Sequence, residues 1–186
     1  MLVLGIDPGT ATTGFGLIKI TESGSPILMH HGLIETQKDG DPAKRLSEIY
    51  DQMEALLKEH RPQVVAMEKI FFFSNAKTVI RVSQAQGVLL LVSEHLGIPV
   101  FEYAPGQVKL NVTGSGRADK KMMQQAVKEM FGLEAQKNKK THFDNAADAI
   151  AIAICHGKIS TGQQVLPKSK LKKKKVIEIP KIQLSA

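Results

Sequence analysis

Residues 2–7 read LVLGID, and the turn PGT follows them at residues 8–10. The apolar run contains β-branched residues and predicts a buried strand, which the Pro-Gly pair ends at once. Asp7 is therefore the last residue of the predicted strand. A carboxylate in this position is costly to bury unless a cation or several hydrogen-bond donors meet it. Asp7 could cap the turn or bind a metal ion, and this segment alone does not decide between the two.

Three more strands and a helix are predicted before residue 70. Apolar segments at residues 14–20 and 26–36 predict strands that form an antiparallel meander with the first one. Helical spacing of apolar residues predicts a helix over 43–60. Residues 64–68, VVAME, predict a strand that again ends in a carboxylate, Glu68. Adjacent strand ends of an open α/β sheet meet where ligands bind, so this second acid favours the metal-binding interpretation.

The rest of the folded chain alternates helices with one more strand. A helix predicted over 75–96 is apolar on more than one face, which indicates either a sandwiched position or a partner subunit against it. Residues 98–102 predict a fifth strand, parallel to the fourth. The expected fold class is α/β, with a mixed five-stranded sheet of three antiparallel and then two parallel strands, flanked by helices. The later helices are predicted over 105–112, 118–131 and 143–156.

Charge is concentrated at the C-terminus. The chain has 186 residues and a net charge of +7, and residues 158–186 contain eight Lys and one Glu, so the remainder is formally neutral. This predicts a folded domain over 1–157 and a basic, disordered tail over 158–186. No signal peptide or run of 18 apolar residues is present, and the single Cys155 suits a reducing cytosol. We therefore expect a cytoplasmic protein without a membrane partner.

A third acid, Asp148, interrupts the apolar helical run AADAIAIAI of residues 146–154. Asn145 and Asp144 precede it on the same helical face. Acids in three apolar elements would repel one another strongly without a cation, and oxygen ligands favour Mg²⁺. No Cys/His spacing for zinc is present, and His142 is at most an auxiliary ligand or proton carrier. A carboxylate-bound pair of Mg²⁺ ions suits phosphodiester hydrolysis.

Basic and aromatic residues accompany these acids. Lys109 and Lys120 could neutralise a phosphate near the metal site. Lys120 and Lys121 fall in the first turn of a predicted helix, where the dipole opposes cations, so either phosphate contact or a solvated face accounts for them. Phe71 is the first of three consecutive phenylalanines after the fourth strand. It is either partly exposed for no functional reason or presented for stacking on a nucleobase.

Six short motifs follow one another along the chain: GIDPGT at 5–10, ME at 67–68, SQAQG at 83–87, FEYAP at 101–105, VK at 108–109 and AADAIAIA at 146–153. In this order they resemble the RuvC family of Holliday-junction resolvases. The resemblance spans residues 1 to about 157. It implies an RNase H-like fold, a homodimer, and Mg²⁺-dependent symmetric nicking of four-way DNA junctions by two ions per subunit, for which Mn²⁺ can substitute. It also implies partnership with branch-migration proteins of the RuvA and RuvB families.

By position, the resemblance makes Asp7, Glu68 and Asp148 metal ligands. The family's fourth ligand lies three residues before Asp148 and is Asp or sometimes His, but this chain has Asn145, whose amide oxygen carries no charge and should bind an ion more weakly. Three explanations stay open: a natural variant that uses Asp144 or His142, a site of reduced activity, or a deliberate Asp→Asn change. The residues expected to contact DNA are Phe71, Arg81, Lys109, Lys120 and Lys121.

Two other functions remain as alternatives. The substitution at Asn145 makes a junction-binding protein without cleavage activity credible. A related RNase H-like nuclease acting on RNA is disfavoured by Phe71 and by the basic segment between Lys109 and Lys120. An actin-like sugar kinase would share the Asp-x-Gly-Thr turn, but the chain is too short for the two domains that such an enzyme needs to enclose ATP.

Overall fold

The computed structural model of the protein describes residues 1–37, 40–70, 76–133, 140–163 and 165, without the side chains of 76–77 and 140–145. The strands are β1 (Leu2–Asp7), β2 (Thr12–Ile20), β3 (Pro26–Glu35), β4 (Val64–Glu68) and β5 (Val100–Tyr103). The helices are α1 (Pro42–His60), α2 (Ala76–His95), α3 (Pro105–Thr113), α4 (Lys120–Phe131) and α5 (Lys140–Ser160).

The strands form one mixed sheet in the order β3-β2-β1-β4-β5. Strand β1 lies at its centre, antiparallel to β2 and parallel to β4, and β5 extends the parallel half. Strand β3 completes the antiparallel half beside β2. The predicted organisation of the sheet, three antiparallel strands followed by two parallel ones, is confirmed.

Helices cover both faces of the sheet, because the central strands bury side chains on either side. Alternate residues of β1 point to opposite cores: Val3 packs with α3, α4 and α5, and Leu4 packs with α1 and α2. Helix α2 is not sandwiched inside the domain as one sequence interpretation allowed. Its outer face leaves Ile80 59% and Leu91 50% exposed.

Helix α5 lies unusually close to the centre of the sheet. A Cβ atom added at Gly5 in β1 would overlap the carbonyl oxygen of Ala149 and lie 2.8 Å from the backbone nitrogen of Ala153. Glycine in the sheet and alanine in the helix therefore set the distance between the two elements. This close packing fixes the position of the helical segment around Ala149 relative to β1.

Each of the two tyrosines forms a hydrogen bond with a histidine, one on each face of the sheet. Tyr50 of α1 lies with its hydroxyl 3.1 Å from Nδ1 of His95, at the end of α2. Tyr103 of β5 lies with its hydroxyl 2.6 Å from Nδ1 of His156 in α5, and both residues are buried. Burial lowers the pKa of His156 and raises that of Tyr103 to about 12, so the neutral pair is favoured.

Some predicted boundaries were wrong, for local reasons. Helix α4 begins at Lys120 rather than at residue 118, because the Asp119 carboxylate caps it by accepting a hydrogen bond from Met122 N. Strand β5 begins at Val100 rather than at 98, because Ile98 N donates to Ser93 O and so closes the end of α2. Helix α5 begins at Lys140 rather than at residue 143 and continues to Ser160 rather than ending at 156.

Part of the predicted tail lies beyond the described residues. The last described backbone group, Val165 N, donates to Asn111 Oδ1 in α3, and the Gln163 side chain donates to Ser23 O. Residues 164 and 166–186, which carry most of the predicted disorder, lie outside the description. Among the helices that are described, none has the length and apolar character needed to cross a membrane.

Candidate active site

The acids at the ends of β1 and β4 are neighbours in the sheet. The parallel register pairs Ile6 with Met67, so Asp7 and Glu68 occupy the next positions on adjacent strands. Both strands run in the same direction, and their carboxyl ends therefore place the two acids at one edge. The expectation that these strand ends converge is confirmed.

Helix α5 brings the third acid to the same edge. Asp148 precedes Ala149, whose carbonyl group lies against Gly5 of β1. Together with Asp7 and Glu68 it borders a cavity of about 290 Å³. The other residues around this cavity are Lys109 and Lys120, which carry positive charge, and Pro105, Val108, Met123 and Ile152, which are apolar.

Burial and neighbouring negative charge raise the pKa of two acids of this cavity, Asp7 and Glu68. Burial raises the pKa of Asp7 to about 7, and the negative charges of Asp148 and Glu68 add to the effect. Burial, followed by the charge of Asp148, also raises the pKa of Glu68, while Lys109 opposes the rise. Negative charge in this cavity is therefore incompletely compensated, as expected for carboxylates that bind a cation.

Lys120 contacts the acid cluster directly. Its Nζ lies 3.0 Å from Oδ2 of Asp148, and its positive charge also lowers the pKa of Asp7 against the larger effects that raise it. The two lysines of the cavity thus interact with different acids. Lys120 interacts with Asp148 and Asp7, whereas Lys109 interacts with Glu68.

The turn after β1 does not use Asp7 as its cap. Thr13 Oγ1 accepts a hydrogen bond from Gly9 N at 3.3 Å and donates one to Gly9 O at 2.7 Å. Thr36 Oγ1 donates to Thr10 O and connects the turn to the end of β3. Because threonine hydroxyls satisfy this turn, the Asp7 carboxylate is available for the cavity.

The donor set fits a hard divalent cation. Carboxylate oxygens from three elements border one cavity, and their mutual repulsion would be relieved by an ion with oxygen ligands. Within the described part of the chain, no three His, Cys, Asp or Glu side chains approach one another closely enough to form a ready-made metal cluster.

Other predicted site residues lie elsewhere or outside the description. Lys121 borders a separate groove between α3 and α4, and Arg81 is exposed on α2. Phe71 lies outside the described residues. The backbone of His142, Asp144 and Asn145 belongs to α5, but their side chains are not described.

Sequence reasoning missed the apolar wall of the cavity. Pro105 and Val108 come from α3, Met123 from α4 and Ile152 from α5. Val108 adjoins Lys109, and Ile152 follows Asp148 by one helical turn, so spacing from the charged residues could have identified both. Met123 follows Lys120 by three residues in α4, so the same spacing could have identified it.

The raised pKa of Asp7 predicts how pH affects the metal-free protein. Between about pH 4 and pH 7 the folded protein keeps a proton on Asp7 that the unfolded chain has lost. The contribution of Asp7 to stability is therefore present at low pH and lost as pH rises through this window. In EDTA, we expect the Tm of Asp7→Asn minus the Tm of the wild type to increase as the pH is raised from 5 to 8. A difference in Tm that does not change with pH would contradict this prediction.

Comparison with known proteins gives a consistent result. The family model for crossover junction endodeoxyribonuclease RuvC matches residues 3–156. The RuvC endonuclease of Syntrophomonas wolfei is 48% identical over 156 residues, which cover 84% of this chain and 88% of that protein. The RuvC endonuclease of Thermotoga petrophila is 44% identical over 166 residues, which cover 89% of this chain and 97% of that protein.

Solved structures agree with the sequence relatives. Thermus thermophilus RuvC, solved in complex with a Holliday junction substrate, superposes with a TM-score of 0.78 and 30% identity, covering 89% of this chain and 98% of that one. The yeast mitochondrial Holliday junction resolvase Ydc2 shares the fold at a TM-score of 0.64 and 16% identity, covering 87% and 81%. The RNase H-like α/β fold implied by the motifs is thus confirmed. This chain belongs to the RuvC family of crossover junction endodeoxyribonucleases.

Proposed function

We propose that this protein is a structure-specific endonuclease that resolves four-way DNA junctions by paired symmetric nicks. The observation that carries the proposal is the meeting of Asp7, Glu68 and Asp148 with Lys109 and Lys120 around one cavity in a chain of this family. The complex of the Thermus relative with a Holliday junction supports the substrate class.

The three acids would hold divalent ions, which we propose to be two Mg²⁺ per subunit, with Mn²⁺ as a substitute. Asn145 would offer the fourth ligand through its amide oxygen. When bound, such ions activate the attacking water and stabilise the leaving oxygen of a phosphodiester. The three carboxylates fit this task because they supply hard oxygen ligands and excess negative charge at one position.

The remaining residues of the site would bind and orient the DNA. Lys109 and Lys120 place positive charge beside the acids, where the scissile phosphate must enter. The apolar wall restricts water around the reacting group. We propose further DNA contacts for Phe71, Arg81 and Lys121, on the strength of the family resemblance.

Gel cleavage of a synthetic mobile four-way junction tests the proposed activity. The reaction is run with Mg²⁺ and then with Mn²⁺, binding is measured in Ca²⁺, and an RNA duplex serves as competitor. Paired symmetric nicks, with no effect of the competitor, are expected. Junction binding without nicks at any concentration of either metal ion would favour the second candidate, a non-cleaving junction-binding protein, for which the neutral side chain of Asn145 is the argument. Preferential cleavage of RNA would contradict both.

Restoring an acid at residue 145 should raise activity. An aspartate there adds a charged ligand one helical turn before Asp148, so we expect Asn145→Asp to increase Mg²⁺-dependent cleavage roughly tenfold, mainly at low Mg²⁺. Titrating Mg²⁺ in the cleavage assay measures the effect. Asn145→Ala, which removes the amide oxygen, is the matched variant and should cleave less than the wild type. Equal or lower cleavage by Asn145→Asp would count against a ligand role for this position.

We propose that two copies of the chain associate through the outer face of α2. Ile80 and Leu91 are exposed on this helix, and a Cβ at Gly87 would have open space around it, so a partner can approach closely. In a twofold interface each substitution acts twice. Leu91→Glu should weaken dimerisation by roughly a hundredfold or more, as measured by analytical ultracentrifugation. Met29→Glu, at an equally exposed apolar site on β3, should leave the dimer intact.

The proposed setting of the enzyme follows from the family resemblance and from the composition. We propose cooperation with branch-migration proteins of the RuvA and RuvB families, in the cytoplasm. The free, buried Cys155 is compatible with a reducing compartment. We also propose that residues 1–157 are the nuclease domain and that the basic segment 158–186 adds salt-sensitive affinity for DNA that is independent of sequence.

A further inference from the structure

The Lys120 ammonium interacts electrostatically with two of the three acids, Asp148 and Asp7. It lies 3.0 Å from Asp148 Oδ2, and it is close enough to Asp7 for its positive charge to lower the pKa of that group. Both acids are ligands in the proposed function, on which this inference depends. In the protein without metal, a lysine side chain therefore supplies part of the charge that a divalent ion would supply.

The position of Lys120 in its helix shows that this contact is specific. Lys120 is the first residue of α4, where the helix dipole disfavours a cation; the capping carboxylate of Asp119 precedes it, and the first turn itself contains no acid. A favourable interaction with the acids across the cavity offsets this cost. The next residue, Lys121, has the same charge and helical environment but borders the neighbouring groove instead.

We propose that Lys120 neutralises the acid cluster in the metal-free protein and that an incoming divalent ion displaces it from Asp148. An ion bound to the Asp148 carboxylate takes the oxygen that Lys120 now contacts, and its double charge repels the ammonium. The displaced side chain, still attached at the mouth of the cavity, then faces the space that the substrate phosphate enters. Lys120 is thus exchanged between the acids and the DNA.

This exchange couples metal binding to DNA binding. A phosphate that attracts Lys120 releases the Asp148 carboxylate for the ion, and an ion that takes Asp148 releases Lys120 for the phosphate. Each ligand should therefore raise the affinity for the other by the same factor. The free protein binds metal weakly for the same reason, so the complete site assembles mainly on DNA.

Metal affinity of the free protein tests the first step. Mn²⁺ binding is measured without DNA by the electron paramagnetic resonance signal of unbound Mn²⁺, for the wild type, Lys120→Gln and Lys121→Gln. We expect Lys120→Gln to bind Mn²⁺ roughly three- to fivefold more tightly, although it removes a residue of the active site. Lys121→Gln removes the same charge one residue away and should change the affinity by less than about twofold. Equal or weaker binding by Lys120→Gln would overturn the proposal.

Chemical labelling tests the displacement in the unaltered protein. Brief acetylation with acetic anhydride, followed by mass spectrometry, compares Lys120 with Lys121 at increasing Mn²⁺. Labelling of Lys120 should rise relative to Lys121 as the ion displaces it, and an unchanged or falling ratio would overturn the proposal. Both experiments omit DNA, so their failure is distinct from a failure of the proposed junction cleavage. A wild type that cleaves junctions while Lys120→Gln shows no gain in metal affinity would overturn the exchange alone.

Discussion

Asp148→Asn should lower the rate of junction cleavage by at least about a hundredfold. Asp148 interacts with three other charged groups of the cavity: it raises the pKa of both Asp7 and Glu68, and it contacts Lys120. The substitution keeps the volume and the helical position but removes the negative charge, so the cluster loses one of the charged ligands that we propose for the ions, without a change of fold. Single-turnover cleavage of a junction in Mg²⁺ measures the loss.

A measurement of junction binding distinguishes a specific loss of cleavage from a loss of folding or of DNA binding. The variant should bind the junction in Ca²⁺ as tightly as the wild type or more tightly, since less negative charge faces the phosphates. Asp51→Asn, an exposed acid on α1 on the opposite face of the sheet, is the matched control and should cleave normally. Cleavage by Asp148→Asn within about threefold of the wild type would remove this residue from the proposed site.

Gly5→Ala should destabilise the protein by about 3 kcal/mol or more. The added methyl group would overlap the carbonyl oxygen of Ala149 and lie 2.8 Å from Ala153 N. These are backbone atoms that cannot rotate away, so α5 must move off the sheet or β1 must bend. Because α5 carries Asp148, the same movement should reduce cleavage in the fraction of protein that remains folded. Urea denaturation followed by circular dichroism measures the change in the free energy of unfolding.

Gly106→Ala provides the comparison for this substitution. A Cβ at Gly106, in the first turn of α3, would meet only Gly116 O, at an ordinary contact distance of 3.8 Å. We expect its free energy of unfolding to stay within about 1 kcal/mol of the wild type. A similarly small effect of Gly5→Ala would show that the helix and the sheet can separate without cost.

The position of the strand acids was predictable because sheet geometry depends on local patterns. The apolar runs ending in Asp7 and Glu68 identified two strands, and the convergence of adjacent strand ends in an open α/β sheet brought the two acids together. Parallel neighbours bring their carboxyl ends together, so the convergence followed without any knowledge of side-chain contacts. The amphipathic spacing of α1 was equally clear, and its predicted and observed ends agree within one residue.

The pairing of Lys120 with Asp148 was not predictable in this way. It joins the start of α4 to the middle of α5, and the approach of these helices depends on how α3, α4 and α5 pack on one face of the sheet. The sequence placed Lys120 near the metal site together with Lys109 and grouped it with Lys121 in one helical turn, but it did not identify which acid Lys120 contacts. A helix start directs neighbouring side chains to different surfaces, and only the tertiary packing determines which of them reaches the acids.

The two tyrosine–histidine hydrogen bonds make intrinsic fluorescence a selective probe of this protein. The chain has two tyrosines and no tryptophan, so its ultraviolet emission comes from Tyr50 and Tyr103 alone. Tyr50 is attached to the layer of α1 and α2, and Tyr103 contacts α5, the helix that carries Asp148. In Tyr50→Phe the remaining emission therefore reports only on the layer that contains the site. Loosening of that layer by heat, pressure or denaturant can then be timed separately from the melting of the opposite layer.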